Sequence, residues 1–89
     1  MRYIINFQIK IKNDGISNET IRSSYTISEK DSEEYNLLNI NKVEDWFDKY
    51  FKQTPLDYFI DTAKFSKKTH FEMKIGRITN ATSGEYKTF

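Results

Sequence analysis

The chain has 89 residues, fourteen aromatic side chains, no cysteine and a formal net charge of +1. This length predicts one small domain spanning residues 1–89, and the absence of cysteine excludes disulfides, thiolate metal ligands and cysteine nucleophiles. No apolar run is long enough for a signal peptide or a membrane span, so we expect a cytoplasmic protein with no membrane partner. Because the sequence opens with Met and a strand pattern begins at once, we also expect a complete small gene product.

Alternation of apolar and polar residues predicts two antiparallel strands at the start of the chain, over residues 3–12 and 19–28. The side chains expected to point inward are Tyr3, Ile5, Phe7, Ile9 and Ile11 in the first strand and Ile21, Tyr25 and Ile27 in the second. Between the strands, Asn13-Asp14-Gly15 is typical of a tight turn. The two strands should therefore form a hairpin.

Residues 41–51 carry the clearest helical pattern of the chain. Large apolar side chains repeat there at the spacing of one helical face, which we expect to be buried. They are Val43, Trp46, Phe47, Tyr50 and Phe51. Asn41 followed by Glu44 is typical of a capping box, so a helix is predicted from Asn41 to about Gln53. A single helical turn is also predicted near residues 33–38.

Two interpretations of residues 54–64 stay open. Thr54 as a cap, Pro55 at the first helical position and the helical spacing of the apolar residues favour a second short helix. The alternative is a strand that begins at Asp57 and runs to Phe65.

The C-terminal part returns to a strand pattern. Residues 69–78 alternate, with three side chains expected inward: Phe71, Met73 and Ile75. Gly76 inside this run predicts a β-bulge or a close backbone approach, and residues 85–89 are expected to form a short edge strand. The sum predicts an α+β fold with an antiparallel sheet of three or four strands: a β-hairpin, one or two helices, then one or two strands, with the helices packed on one face.

Few residues suggest catalysis. His70 is the only histidine, and beside Glu72 it is interpreted as an exposed pair on a strand. Glu72-Met73-Lys74, with Asp57 fifteen residues earlier, resembles the core of the PD-(D/E)xK nucleases over eighteen residues. The resemblance implies that Asp57 and Glu72 bind Mg²⁺ and that Lys74 supports the attacking water. Because Glu-x-Lys is common on exposed strands and the chain is short for that fold, we predict no enzyme, no metal site and no cofactor.

Charge is distributed unevenly along the chain. Residues 29–61 carry nine acids and four lysines, whereas residues 62–89 carry six bases and two acids. An acidic surface can bind a basic groove on another macromolecule by electrostatic complementarity. The expected contact residues are Glu33, Glu34, Glu44, Asp45 and Asp48.

We therefore predict a non-catalytic interaction protein that binds a host protein or nucleoprotein complex. A short, cysteine-free chain rich in Asn, Ile, Lys and Tyr is typical of small genes on AT-rich phages and mobile elements. An inhibitor or adaptor such as an anti-CRISPR or other counter-defence protein is the specific form of this prediction. A further hypothesis, a homo-oligomeric structural protein, stays open.

The basic C-terminal third supports an alternative, a small nucleic-acid-binding module. Cationic side chains neutralise phosphates, and aromatic rings stack on unpaired bases. The candidate residues are Lys64, Lys67, Lys68, Lys74 and Arg77.

Overall fold

The computed structural model describes residues 1–12 and 18–89 and has an α+β fold. Its strands are β1 (Tyr3–Lys12), β2 (Glu19–Ile27), β3 (His70–Asn80) and β4 (Tyr86–Thr88), and its helices are α1 (Glu29–Glu34) and α2 (Ile40–Lys49). Three short 3-10 helices lie between α2 and β3: Phe51–Gln53, Leu56–Tyr58 and Thr62–Lys64. The strands form one antiparallel sheet in the order β2-β1-β3-β4, which confirms the predicted fold class. The predicted turn at Asn13-Asp14-Gly15 lies outside the described residues.

β1 lies inside the sheet, between β2 and β3, and supplies the middle of the core. Its alternate residues facing the helices are all buried, as predicted: Tyr3, Ile5, Phe7, Ile9 and Ile11. On β2, Ile27 is buried, and Tyr25, which pairs with the buried Ile5, also faces the helices as predicted, although it is 38% exposed. β2 is an edge strand, and Tyr25 lies where the core ends, with its ring centroid 5.0 Å from that of Phe51.

A β-bulge at Gly76 sets which side chains of β3 turn inward. Arg77 pairs with Asn6, whereas the residue before Gly76 pairs with Phe7, so Gly76 is the extra residue of the strand. Strict alternation would turn Arg77 into the core and Ile78 towards solvent. With the bulge, Ile78 is fully buried and Arg77 is exposed. The predicted bulge is therefore confirmed.

α1 occupies Glu29–Glu34 and not the predicted turn near residues 33–38. The Ser28 side chain starts this helix by accepting a hydrogen bond from the Asp31 N–H at 3.2 Å. Asn36 then adopts a positive φ of 56°, which turns the chain out of the helix and is a conformation that Asn tolerates. The buried Leu37 follows directly.

α2 is capped by Asn39, so the prediction of a cap at Asn41 is wrong. Asn39 is extended, and its side chain accepts a hydrogen bond from the Lys42 N–H at 3.0 Å. Ile40, which precedes the predicted cap, is already helical and is buried. The sequence offers two asparagines at this point, and burial of Ile40 fixes which one caps the helix.

The helix ends at Lys49, earlier than predicted, and this exposes one ring that was expected in the core. Tyr50 leaves the helical conformation with φ −120°, and the chain continues as the 3-10 helix Phe51–Gln53. As a result Tyr50 is 63% exposed. The rest of the predicted face is buried or half-buried: Val43, Trp46, Phe47 and Phe51.

Residues 54–64 form neither the predicted helix nor the alternative strand. Thr54 is extended and Pro55 is not helical, since both have ψ of 132°, and the segment then contains only the 3-10 helices Leu56–Tyr58 and Thr62–Lys64. Its apolar side chains instead pack one by one against the core: Leu56, Phe59 and Ile60. Among residues 1–12 and 18–89, no helix has the length and apolar character needed to cross a membrane.

Candidate functional site

The predicted acidic contact residues lie on both helices of the layer that covers the sheet. Glu33 and Glu34 form the end of α1 and are exposed. In the described parts of the chain, neither carboxylate is in a salt bridge. The six residues of α1 hold four acids and one lysine, so the acidic surface is densest on this helix.

On α2 the acidic surface is interrupted by lysines. Glu44 is half-buried and lies 3.6 Å from the Lys87 Nζ of β4, and Asp48 lies 3.2 Å from the Lys52 Nζ. Asp45 is exposed and has lysines close to it on the same helix. Two of the three predicted carboxylates on α2 therefore already have cationic partners within the chain, and Asp45 is left as the one most available to another molecule.

A groove lined by aromatic side chains opens beside these helices. Four tyrosines from separate parts of the chain surround it, with exposed fractions of 38%, 49%, 63% and 79%: Tyr25, Tyr35, Tyr50 and Tyr58. The more buried rings of Trp46 and Phe51 also line it, and its volume is about 510 Å³. We call these six residues the tyrosine groove.

Ring contacts join four of the six residues of the tyrosine groove: Tyr25, Tyr35, Trp46 and Phe51. The Tyr35 centroid is 5.6 Å from that of Trp46, and the Trp46 centroid is 5.7 Å from that of Phe51. Trp46 Nε1 is buried and has no hydrogen-bond partner among the described residues. Buried indole N–H groups usually find an acceptor, so this donor is an unsatisfied polar group at the floor of the groove.

The acidic residues and the tyrosine groove meet at a smaller hollow of about 230 Å³. Tyr35, Trp46 and Tyr50 line both spaces, and the smaller one adds Asp45 between Lys42 and Lys49. Three of the groove's aromatic rings are therefore next to Asp45. A molecule that contacts this part of the helical layer therefore meets both apolar rings and an exposed carboxylate.

Sequence reasoning missed the tyrosine groove, because it assigned Tyr25 and Tyr50 to the core. Tyr35 and Tyr58 were assigned no role. The signal that could have found the groove is the aromatic content, because a domain of 89 residues buries a limited fraction of its surface and this one has fourteen rings. Some of those rings had to remain on the surface, and the amphipathic tyrosines are the ones suited to it.

The candidate cations for nucleic acid do not belong to one element. Lys64 is in the last 3-10 helix, and Lys67 and Lys68 are in the turn that leads into β3. Lys74 and Arg77 lie on β3 and are exposed on the side of the sheet that faces away from α2. The five candidate cations therefore lie in three different parts of the chain. Lys74 and Arg77 share their side of the sheet with cations of β1 and β2.

The residues of the nuclease resemblance are not arranged as a metal centre. The Asp57 carboxylate accepts a hydrogen bond from the Thr62 hydroxyl within the 3-10 segment, while Glu72 lies 3.7 Å from Lys74 on β3. His70 begins β3 and is exposed. Within residues 1–12 and 18–89, no three side chains of the types His, Cys, Asp and Glu come together in a way that could hold a metal ion.

Comparison of the chain with protein-family models, with curated proteins and with solved structures finds no match.

Proposed function

We propose that the chain is a non-catalytic interaction protein, an inhibitor or adaptor that binds a host protein or nucleoprotein complex in the cytoplasm. The tyrosine groove and the carboxylates beside it form the contact surface, and the partner offers basic and apolar side chains. An anti-CRISPR or other counter-defence protein of a phage or mobile element is the specific form of this proposal.

The observation that carries the proposal is the gathering of four exposed tyrosines around one groove with Trp46. Tyrosine and tryptophan are the residues most enriched where binding energy concentrates in protein interfaces, because they bury much area with few rotatable bonds. The rings here come from β2, the end of α1, the end of α2 and a 3-10 helix, so the fold itself positions them. A rigid framework lowers the entropy lost on binding.

The carboxylates around the groove add selectivity for a basic partner. Glu33 and Glu34 directly precede Tyr35 in the chain, and Asp45 lines the hollow that shares three rings with the groove. Surface charges of one sign speed the encounter with a complementary surface and disfavour partners of the same sign. In this proposal the rings supply most of the affinity, and the carboxylates select the partner.

The charges are tested by reversing two acids at a time. The chain, used as bait, captures its partner from a lysate of the native host, and mass spectrometry identifies the captured partner. Calorimetry with the purified partner then measures Kd. We expect Glu33→Lys/Glu34→Lys to weaken binding about tenfold or more, because both carboxylates are exposed and face a basic surface in the complex. The control Glu19→Lys/Glu85→Lys makes the same change in net charge away from the helices and should retain the wild-type Kd.

The single reversal Asp45→Lys tests α2 without breaking an ion pair, unlike reversal at Glu44 or Asp48. It should also weaken capture.

The groove itself is tested by Tyr35→Ser/Tyr58→Ser, with Tyr86→Ser on β4 as an exposed tyrosine outside the groove. An unchanged Kd for the groove variant would remove the tyrosine groove from the contact surface and leave the proposal without support.

A further inference from the structure

None of the described helices covers the side of the sheet opposite α2, and this side concentrates positive charge. The strand residues that alternate away from the helices hold five cations: Lys10, Lys12, Arg22, Lys74 and Arg77. Among the described strand residues of this face, Glu72 is the one carboxylate, and Lys74 lies 3.7 Å from it. We call this side of the sheet the open face.

Strand register places the cations in neighbouring rows across the sheet. Gln8 pairs with Arg22 on one side and with Lys74 on the other, so one amide lies between two cations. In the next row, Asn6 pairs with Ser24 and with Arg77. Adjacent strands are about 4.8 Å apart and rows about 7 Å apart, so these groups form a continuous basic strip.

A shallow groove on the open face brings polar groups next to this strip. Its volume is about 580 Å³, and Asn6, Gln8, Arg22, Ser24 and Gly76 are among its lining residues. Amide and hydroxyl side chains can hydrogen-bond to the edges of unpaired bases and to sugar hydroxyls. Gly76, the extra residue of the bulge, lines this groove directly, and the bulge also keeps Arg77 on the open face beside it.

Tyr86 adds an aromatic ring at the end of the strip. It pairs with Thr79 on β4, is 61% exposed, and has the Arg77 guanidinium carbon 4.9 Å from its ring centroid. A ring held on one side by a cation can still accept a stacked base on its other side.

We propose that the open face binds single-stranded nucleic acid, with Lys10, Arg22 and Lys74 contacting phosphates and Tyr86 stacking on a base. Charge complementarity points to a polyanion, and the combination of flat sheet, amides and ring favours a strand whose bases are unpaired. A duplex is disfavoured, because a sheet face is too broad to enter its grooves, which admit a helix or a two-stranded ribbon. This site goes beyond the proposed protein contact, which lies on the helical side of the sheet.

The first test measures binding of the full chain to fluorescent oligonucleotides of about 12 nucleotides, as single-stranded RNA, single-stranded DNA and duplex DNA. At about 50 mM salt we expect a Kd of about 10 μM or tighter for a single strand, and weaker binding of the duplex. With three phosphate contacts, log K should fall with log salt at a slope of about −2. No binding of either single strand, or tighter binding of the duplex, would overturn the proposal.

Matched variants then locate the site. Lys10→Gln/Arg22→Gln removes two cations of the open face and should make the salt slope shallower by about 1.4. Lys42→Gln/Lys49→Gln removes the same charge from α2 and should leave Kd and slope unchanged. Equal losses in the two variants would show that binding follows net charge alone and would refute the site. Circular dichroism of each variant checks folding, and Lys74→Gln/Arg77→Gln replaces the first pair if that pair fails to fold.

Stacking is tested separately by Tyr86→Leu, with Tyr58→Leu in the tyrosine groove as control. Loss of one stacked base should weaken binding about fivefold to a hundredfold for Tyr86→Leu and not for the control. An unchanged Kd for Tyr86→Leu would remove the ring from the site. Because Lys10, Arg22 and Tyr86 lie on the opposite side of the sheet from the tyrosine groove, failure here and failure of the protein contact are distinguishable.

Discussion

Phe47 and Tyr50 are three residues apart at the end of α2, and the helical pattern alone places both in the core. The structure separates them: Phe47 is fully buried and Tyr50 is 63% exposed. Phe47 has ring centroids of Phe7 and Phe51 at 6.2 Å and 5.0 Å, the latter nearly parallel to it. Replacing each residue with Ala therefore tests directly where the core ends.

The expected losses differ by several kcal/mol. Phe47→Ala leaves a cavity under the sheet and should lower the free energy of unfolding by about 3–5 kcal/mol. Tyr50→Ala removes a mostly solvated ring, so its effect should stay within about 1 kcal/mol. A domain of this size is stable by about 4–13 kcal/mol, so at the lower end of that range the first variant loses most of the total. Phe47→Leu, with an expected loss of about 1.5 kcal/mol, is the milder companion variant.

Unfolding in urea is followed by the fluorescence of Trp46, because this is the only tryptophan of the chain and it lies against the core. With an m value of about 1.3 kcal/mol/M, a loss of 4 kcal/mol lowers the midpoint by about 3 M, whereas Tyr50→Ala should move it by less than about 0.8 M. Far-ultraviolet circular dichroism should give the same midpoints. Similar losses at the two positions would refute the reasoning, since both rings would then belong to one buried face.

Three further predictions concern single features of the fold. Asn39→Ala should cost about 1 kcal/mol of stability in the same urea assay, whereas Asn41→Ala should cost almost nothing, because only Asn39 caps α2; the reverse order would restore the sequence-based cap. Deleting Gly76 should preserve the fold, because removal of the bulge leaves the inward and outward positions on either side in phase; a lost nuclear magnetic resonance fingerprint would contradict this. Burial, and to a smaller extent the Glu85 carboxylate, raises the pKa of the Tyr3 hydroxyl above its ordinary value of 10.0. Tyr3 therefore ionises at a lower pH in the unfolded chain than in the folded one. The free energy of unfolding should fall as the pH rises above about 10. Tyr3→Phe should lose less stability than the wild type over that alkaline range, as followed by thermal melts, and an identical decline in both proteins would exclude Tyr3 as the cause.

The sheet could be predicted because its information is local. Period-two alternation locates β1 and β3 within a few residues, and one glycine inside β3 marks the bulge. The bulge also explains an apparent defect in the pattern: Arg77 stands where strict alternation needs an apolar residue, and Ile78 stands where it needs a polar one. Neither residue is misplaced once the extra position is counted.

The helical layer was predicted less well, because its backbone follows tertiary packing. Tyr50 is out of the core because α2 stops at Lys49, and nothing in the local spacing marks that stop. In the segment after it, Phe59 has its ring centroid 5.1 Å from that of Phe7 and 5.6 Å from that of Phe51. Contacts between individual rings therefore determine the path of residues 54–64, and the helical spacing of apolar residues in the sequence does not reveal such contacts.

The candidate surfaces illustrate the same division. Exposure of Glu33, Glu34 and Asp45 follows from composition, since charged residues remain on the surface. The open face required strand register, because Arg22 and Lys74 are far apart in the chain and become neighbours only through Gln8. The tyrosine groove required the tertiary structure as a whole, because four separate segments supply its rings.

The place of β1 between β2 and β3 has a consequence for how the chain reaches its native state. Lys12 pairs with His70 and Tyr3 with Asn80, so these pairings close loops that span most of the chain. The hairpin partner is available early during synthesis, whereas the other side of β1 stays unpaired until residues 70–80 have left the ribosome. Until then the future centre of the sheet behaves as an unprotected edge, and folding should be slow for a protein of this length.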